Sequence, residues 1–263
     1  MLDHVPWPVL RRLAFAAEKL VSPSFVAHYA LRKAAIREAM RAAVADGHRQ
    51  VVLLGAGFDM MSMSVPDGAR VFEVDLPATQ EIKRHALREA RVRDVTFVPA
   101  DLSRARLRDV LRATPGFDAA ADTLFVAEGL LMYLDVAAID RILADLPCER
   151  RRTRVIASFV TPDARGRVRM HSQRRVVDLC MTLLGEEFVW GADAAGLRER
   201  LERHGLRVDA MLANADYAGS LAGRRKPTRS SGELIAVASS ASGRARRDDA
   251  PSTTSWRENT SSA

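Results

Sequence analysis

Two glycines, three acids and one arginine stand where they could handle a small charged ligand. Gly55 and Gly57 follow at once on the apolar run Val51-Val-Leu-Leu54. A glycine turn at a strand exit lets backbone come close to a ligand, and ligands of open α/β sheets bind beyond the carboxyl ends of the strands. Asp75 ends a second such run, Arg70-Val-Phe-Glu-Val-Asp75, twenty residues after Gly55. At that spacing in a βαβ unit an acid meets the ribose hydroxyls of an adenosine ligand. The ordinary alternative is an aspartate capping a helix that starts at Pro77. Asp101 follows the run Val95–Val98, and Glu128 follows Thr123–Ala127. One acid past a strand is a loop acid. Three at the same topological place are better explained by a common ligand. Arg32 falls on the apolar stripe Tyr29, Ile36, Met40, Val44. It either snorkels at the stripe's edge or turns its planar fork to a buried anion, and periodicity leaves both open.

The turn also restricts the ligand. A nicotinamide fingerprint needs a third glycine for close helix packing, and Met60 stands there. The lysine of a phosphate-binding loop is absent, which argues against a nucleoside triphosphate. An adenosine ligand without phosphates remains, namely S-adenosylmethionine.

These residues need strands and helices to position them. A helix is expected over 7–21, and Ser22-Pro23 caps a second one running to about Ala45. The turn after Leu54 is read as leading into a helix. Strands over 70–75, 95–98, 123–127 and 155–160 alternate with helices over 78–91, 103–113 and 135–146. A helix from the arginine-rich stretch to about Leu184, another over 193–204, and strands 206–212 and 233–239 close the pattern. That alternation predicts a doubly wound α/β sheet with helices on both faces.

A chain of 263 residues, 48% hydrophobic, can bury one large core. The formal charge of +7 is uneven: residues 149–175 hold nine arginines against Glu149 and Asp163. No stacking aromatics alternate with them and no known binding motif appears, so no nucleic-acid partner is expected. No apolar run reaches the length of a membrane span, and Met-Leu-Asp-His-Val-Pro-Trp-Pro lacks the layout of a secretory signal. With Cys148 and Cys180 forming no CxxC pair, a cytoplasmic location is expected. No metal is expected, because no two histidines stand at ligand spacing.

Val51–Asp59, Phe72-Glu-Val-Asp-Leu-Pro-Ala-Thr-Gln80 with Lys83, Ala100-Asp-Leu102 and Phe125-Val-Ala-Glu-Gly-Leu-Leu-Met-Tyr-Leu134 occur in that order. Together, from about residue 20 to 239, they resemble the leucine carboxyl methyltransferase family, and within it the bacterial polyketide-type O-methyltransferases. The resemblance implies a class I methyltransferase: a seven-stranded Rossmann-like sheet with the last strand antiparallel and a helical cap. It implies a helical cap, set over 1–46, and the methyltransferase domain over 47–239; within that domain the arginine-rich segment 163–192 is read as lid-like, and the tail over 240–263, with almost no large apolar residue, as disordered. By the same resemblance Arg32 holds the cofactor carboxylate, with Lys33 nearby, and Gly55, with Gly57 in the same turn, lies under the cofactor. Asp75 binds the ribose, Asp101 and Leu102 flank the adenine, and Glu128 meets the methionine amino end. At Met60-Met61 the chain departs from the family's usual Thr-Arg.

The expected reaction moves a methyl group from S-adenosylmethionine to a carboxylate or hydroxyl of a small molecule, of polyketide type by the resemblance. A carboxylate arrives ionised, whereas a hydroxyl needs a base. His28, Tyr133 and His171 are the candidates for that task. A catalytically silent cofactor-binding or regulatory protein is the alternative, and a nicotinamide oxidoreductase a further one. The acceptor's identity and the choice between monomer and homodimer stay open.

Overall fold

The computed structural model describes residues 25–87, 94–148, 152–169, 187–213 and 232–240. The expected helix at 7–21, His171, the body of the lid segment and the tail from 241 onward lie outside the described residues.

Seven strands form one sheet: β1 (Gln50–Leu54), β2 (Arg70–Asp75), β3 (Thr96–Pro99), β4 (Thr123–Ala127), β5 (Thr153–Val160), β6 (Leu206–Leu212) and β7 (Glu233–Ser240). Their order is β3-β2-β1-β4-β5-β7-β6. The first five run parallel, and β7 lies antiparallel between β5 and β6. The doubly wound sheet with an antiparallel last strand is therefore present.

Alternation along the strands builds a core on each face. Val52, Leu54, Phe72, Val74 and Phe125 face one way and pack with Leu107 and Leu111 of α3 (Leu107–Arg112), with Ile139 and Ile142 of α4 (Val136–Ala144), and with Leu197 and Leu201 of α5 (Ala194–Arg203). Val51, Leu53, Val71, Leu124 and Val126 face the other way. Leu31, Ile36, Met40 and Val44 of α1 (Phe25–Ala45) cover them. The stripe read from the sequence, apart from half-exposed Tyr29, thus holds α1 directly on the sheet. The remaining α-helix among the described residues, α2 (Pro77–Leu87), starts at Pro77, the first-turn position that tolerates a residue without an N–H.

Two local expectations change. The glycine turn does not lead into an α-helix. Met61–Ser64 makes a single 3-10 turn instead, with Met61 buried in the α1-side core and Met60 exposed. Only the stretch from Gly55 to Ala69 links β1 to β2, and Pro66 and Gly68 stop it from extending a helix. Likewise the helix expected from Ser103 begins only at Leu107. Asp101 takes the Ser103 N–H at 2.9 Å and its hydroxyl at 2.6 Å, which favours a turn over a helix there.

No helix among the described residues is long and apolar enough to cross a membrane.

Candidate functional site

Strand register gathers the predicted residues at one edge of the sheet. Leu54 is paired with Val74 on one side and with Ala127 on the other. Gly55, Asp75 and Glu128 are therefore the next residues of three adjacent strands. Asp101 follows one strand further along, since Asp75 is level with Pro99 and its carbonyl accepts the Ala100 N–H at 2.8 Å.

The turn after β1 is held by β2. Gly55 N–H donates to the Val74 carbonyl at 2.8 Å, and Gly57 N–H donates to Asp75 Oδ2 at 2.6 Å. Both glycines have positive φ, 64° and 48°. A side chain is strained in that region. At Gly55 it would also meet Leu130, 2.8 Å away, whereas at Gly57 nothing lies within 4 Å of a built Cβ. The space beside Gly57 is open for a ligand.

Above the turn stands a cluster of opposite charges. Arg32 and Lys33 come from α1, Glu128 from the exit of β4 and Glu233 from the start of β7. Arg32 Nη1 donates to both oxygens of Glu233, at 2.7 and 2.9 Å, and its Nε donates to Glu128 Oε1 at 2.9 Å. Lys33 Nζ donates to Glu128 Oε2 at 2.7 Å and pairs with Asp59. His28 Nε2 lies 2.6 Å from Glu233 Oε2. Burial alone would lower the Arg32 pKa, but the negative charges of Glu233 and Glu128 outweigh it and raise it further. Burial dominates at Lys33 and lowers its pKa, with Glu128 opposing. At Glu233 burial is outweighed by the hydrogen bond with His28 and the charge of Arg32, so its carboxyl stays below the ordinary value.

An open cleft of about 360 Å³ is lined by Tyr29, Arg32, Lys33, Gly55, Ala56, Gly57, Phe58, Asp59 and Glu128. Tyr29 lies under both cations, its ring centroid 4.8 Å from the Arg32 guanidinium carbon and 4.9 Å from Lys33 Nζ. Burial and the Glu128 charge raise the Tyr29 pKa, against Arg32. The cleft's far wall is tied down by Lys83, which donates to the Asp59 carbonyl at 2.5 Å and pairs with buried Glu73 at 2.7 Å.

Of the predicted residues, Arg32, Lys33, Gly55, Gly57 and Glu128 line the cleft, and Asp75 grips its turn. Asp101 is partly exposed and Leu102 buried, just past β3. The hydrogen bond from Ser103 lowers the Asp101 pKa. Tyr133 sits in the 3-10 turn Leu131–Tyr133, its ring edge-on to Phe188 at 5.3 Å. His28, a candidate base in the sequence, is 3% exposed and faces Glu233. Glu233 itself went unnoticed. The signal that could have found it was an acid opening an otherwise apolar strand.

The profile described as leucine carboxyl methyltransferase matches residues 8–146, which includes α1, the glycine turn and all three strand-end acids. The chain belongs to the leucine carboxyl methyltransferase family. Within and around that family, a Streptomyces coelicolor protein provisionally named an S-adenosyl-L-methionine-dependent methyltransferase is 38% identical over 143 residues, 51% of this chain and 45% of that protein. A Mycobacterium tuberculosis protein with the same provisional name is 36% identical over 140 residues, 49% and 45% of the two chains. The chain thus spans about half the length of the curated relatives it matches. The crystal structure of a provisionally named methyltransferase from Thermobifida fusca superposes with a TM-score of 0.59 at 17% identity, covering 88% of this chain and 87% of the other. That likeness shows the shared fold.

Proposed function

We propose that this leucine carboxyl methyltransferase family member is an S-adenosylmethionine-dependent O-methyltransferase acting on a carboxylate or hydroxyl of a small molecule. The observation that carries this reading is the Arg32, Lys33 and Glu128 cluster standing over the Gly55-Ala-Gly57 turn. A zwitterionic amino-acid tail needs cations for its carboxylate and an acid for its amino group, and the cleft offers both signs side by side. Its volume falls in the range of roughly 300–1,000 Å³ usual for small-molecule sites. The open space beside Gly57 fits a ligand pressed against backbone.

In this reading Arg32 and Lys33 hold the tail carboxylate and Glu128 its amino group. Asp75 accepts from ribose hydroxyls, since an ionised carboxylate has lone pairs left after two backbone bonds. Asp101 and Leu102 border the adenine. Bound there, S-adenosylmethionine would supply an activated methyl group on a sulfonium. The chain's task is then to align the acceptor oxygen and keep water out. Tyr29, beside Arg32 and Lys33 in the cleft, can offer its hydroxyl as a hydrogen-bond donor to an acceptor. A carboxylate acceptor would arrive ionised and need no base. Residues 1–46 are read as a cap and 163–192 as a lid that would shape the acceptor side, with a polyketide-type metabolite as the acceptor class.

Calorimetric titration with S-adenosylmethionine and with NADH tests the reading, followed by turnover against carboxylic and phenolic acceptors. The expected result is donor binding, no NADH binding, and methyl transfer to a carboxylic acid. NADH binding without donor binding would overturn the reading. Donor binding without turnover on any acceptor would leave a silent cofactor-binding protein in its place.

A further inference from the structure

Glu233 is 2% exposed at the start of a strand whose next residues are Leu-Ile-Ala-Val. A buried carboxylate costs stability unless it is paired, and an apolar pair often serves a core as well or better. Its place in the fold accounts for it. Because β7 runs antiparallel to β5, with Glu233 level with Val160, its first residue reaches the edge where the parallel strands end. Alternation puts the Glu233 side chain on the same face as Ile235 and Val237, the face that α1 covers. There it meets His28 and Arg32, which are four residues apart and so share one side of α1.

The contacts divide the labour. Glu233 takes Arg32 Nη1 with both oxygens, while Glu128 takes only Nε. Since Glu233 already balances the guanidinium charge, Glu128 is shared with Lys33 and can exchange its partners for those of a ligand. His28 then fixes one oxygen of Glu233 from behind. The long arginine side chain, otherwise rich in rotamers, is thereby held toward the cleft before any ligand arrives.

We infer that Glu233, braced by His28, is a positioning residue that presents Arg32 to the carboxylate tail of the cofactor. This rests on the reading of Arg32 given under Proposed function. Two ligands separate the roles. S-Adenosylhomocysteine carries the amino-acid tail, and 5′-methylthioadenosine lacks it. Calorimetry on the full 263-residue chain is expected to show Glu233→Gln weakening S-adenosylhomocysteine about tenfold, the middle of the coupling range for charges in one network. Methylthioadenosine affinity should stay within about twofold. In an Arg32→Ala background Glu233→Gln should have no further effect on either ligand. His28→Ala, which removes the outer bond, should show the same selectivity at about threefold, and stands alone if Glu233→Gln does not fold. Equal losses for both ligands, no loss for either, or an additive loss in the Arg32→Ala background would overturn the inference. Wild-type protein that binds methylthioadenosine but not S-adenosylhomocysteine would overturn it through Arg32. Wild-type protein that binds neither would overturn the proposed function as well.

Discussion

The Gly57 N–H and the Asp75 carboxylate are joined by a 2.6 Å hydrogen bond that ties the turn after β1 to the end of β2. The other carboxylate oxygen accepts from Leu76 N–H at 2.7 Å. One side chain thus shapes the turn and, in the proposed function, also holds the ribose. Asp75→Ala is expected to weaken S-adenosylhomocysteine binding by about 1–3 kcal/mol, the usual loss of a hydrogen bond to a charged group. Asp75→Asn keeps an acceptor and should recover part of it. Calorimetry that finds the alanine variant unchanged would remove Asp75 from the site.

The two glycines should respond differently to alanine. At Gly57 only the left-handed backbone opposes a Cβ, so Gly57→Ala should cost about 1–2 kcal/mol of stability, and Gly57→Asn less. At Gly55 the added Cβ also runs into Leu130, including its Cβ at 3.2 Å, so Gly55→Ala should cost clearly more. Urea denaturation midpoints of the three variants check the order. Equal midpoints for both alanine variants would contradict it.

Lys83 and Glu73 form a buried pair, 3% and 1% exposed. Lys83→Met leaves the carboxylate uncompensated and should destabilise by about 3–5 kcal/mol. Adding Glu73→Leu to it should restore most of that loss, because the unpaired charge is gone. A double variant as unstable as the sum of the two singles would show that the pair does not act as a unit.

Glu233 also makes a prediction about acid. Its folded carboxyl titrates below the unfolded reference of 4.5, because the hydrogen bond with His28 and the charge of Arg32 outweigh burial. The folded state therefore binds this proton less readily. Its stabilisation is complete above about pH 4.5 and is lost as pH falls toward the folded value. Glu233→Gln removes that contribution, so its melting temperature should fall less steeply below pH 4.5 than that of the wild type. The slope will flatten rather than vanish, since Asp122, Asp140 and Asp145 are held low in the same way. Parallel slopes for the two proteins would show that Glu233 is not titrating there.

The parallel part of the site was legible because its rule is directional. Gly55, Asp75 and Glu128 each follow an apolar run, and in parallel strands that places all three at one edge. Glu233 obeys the mirror rule, since an antiparallel strand brings its first residue to that edge, and nothing local distinguishes such a strand from its parallel neighbours. Arg32 showed only half its role. Helical periodicity set it facing the sheet, but its two carboxylate partners lie 96 and 201 residues away, and no spacing within a helix reveals them. The 3-10 turn at Met61–Ser64 was hidden for another reason. A βαβ unit leads one to expect a helix, and here the connection is too short and too interrupted by Pro66 and Gly68 to form one.

Among the described residues β6 joins the sheet only through β7, although β7 comes later in the chain. During synthesis β6 must therefore wait for a partner strand until β7 arrives and wedges in beside β5. Such distant pairing is slow, and it leaves an open strand edge on the partly made protein. The same arrival delivers the carboxylate that Arg32 needs. Ribosome-bound chains stalled before Glu233 would thus hold five paired strands and an arginine still lacking its main counter-ion. Completion of the sheet and the arming of the cleft are a single event in the life of the nascent chain.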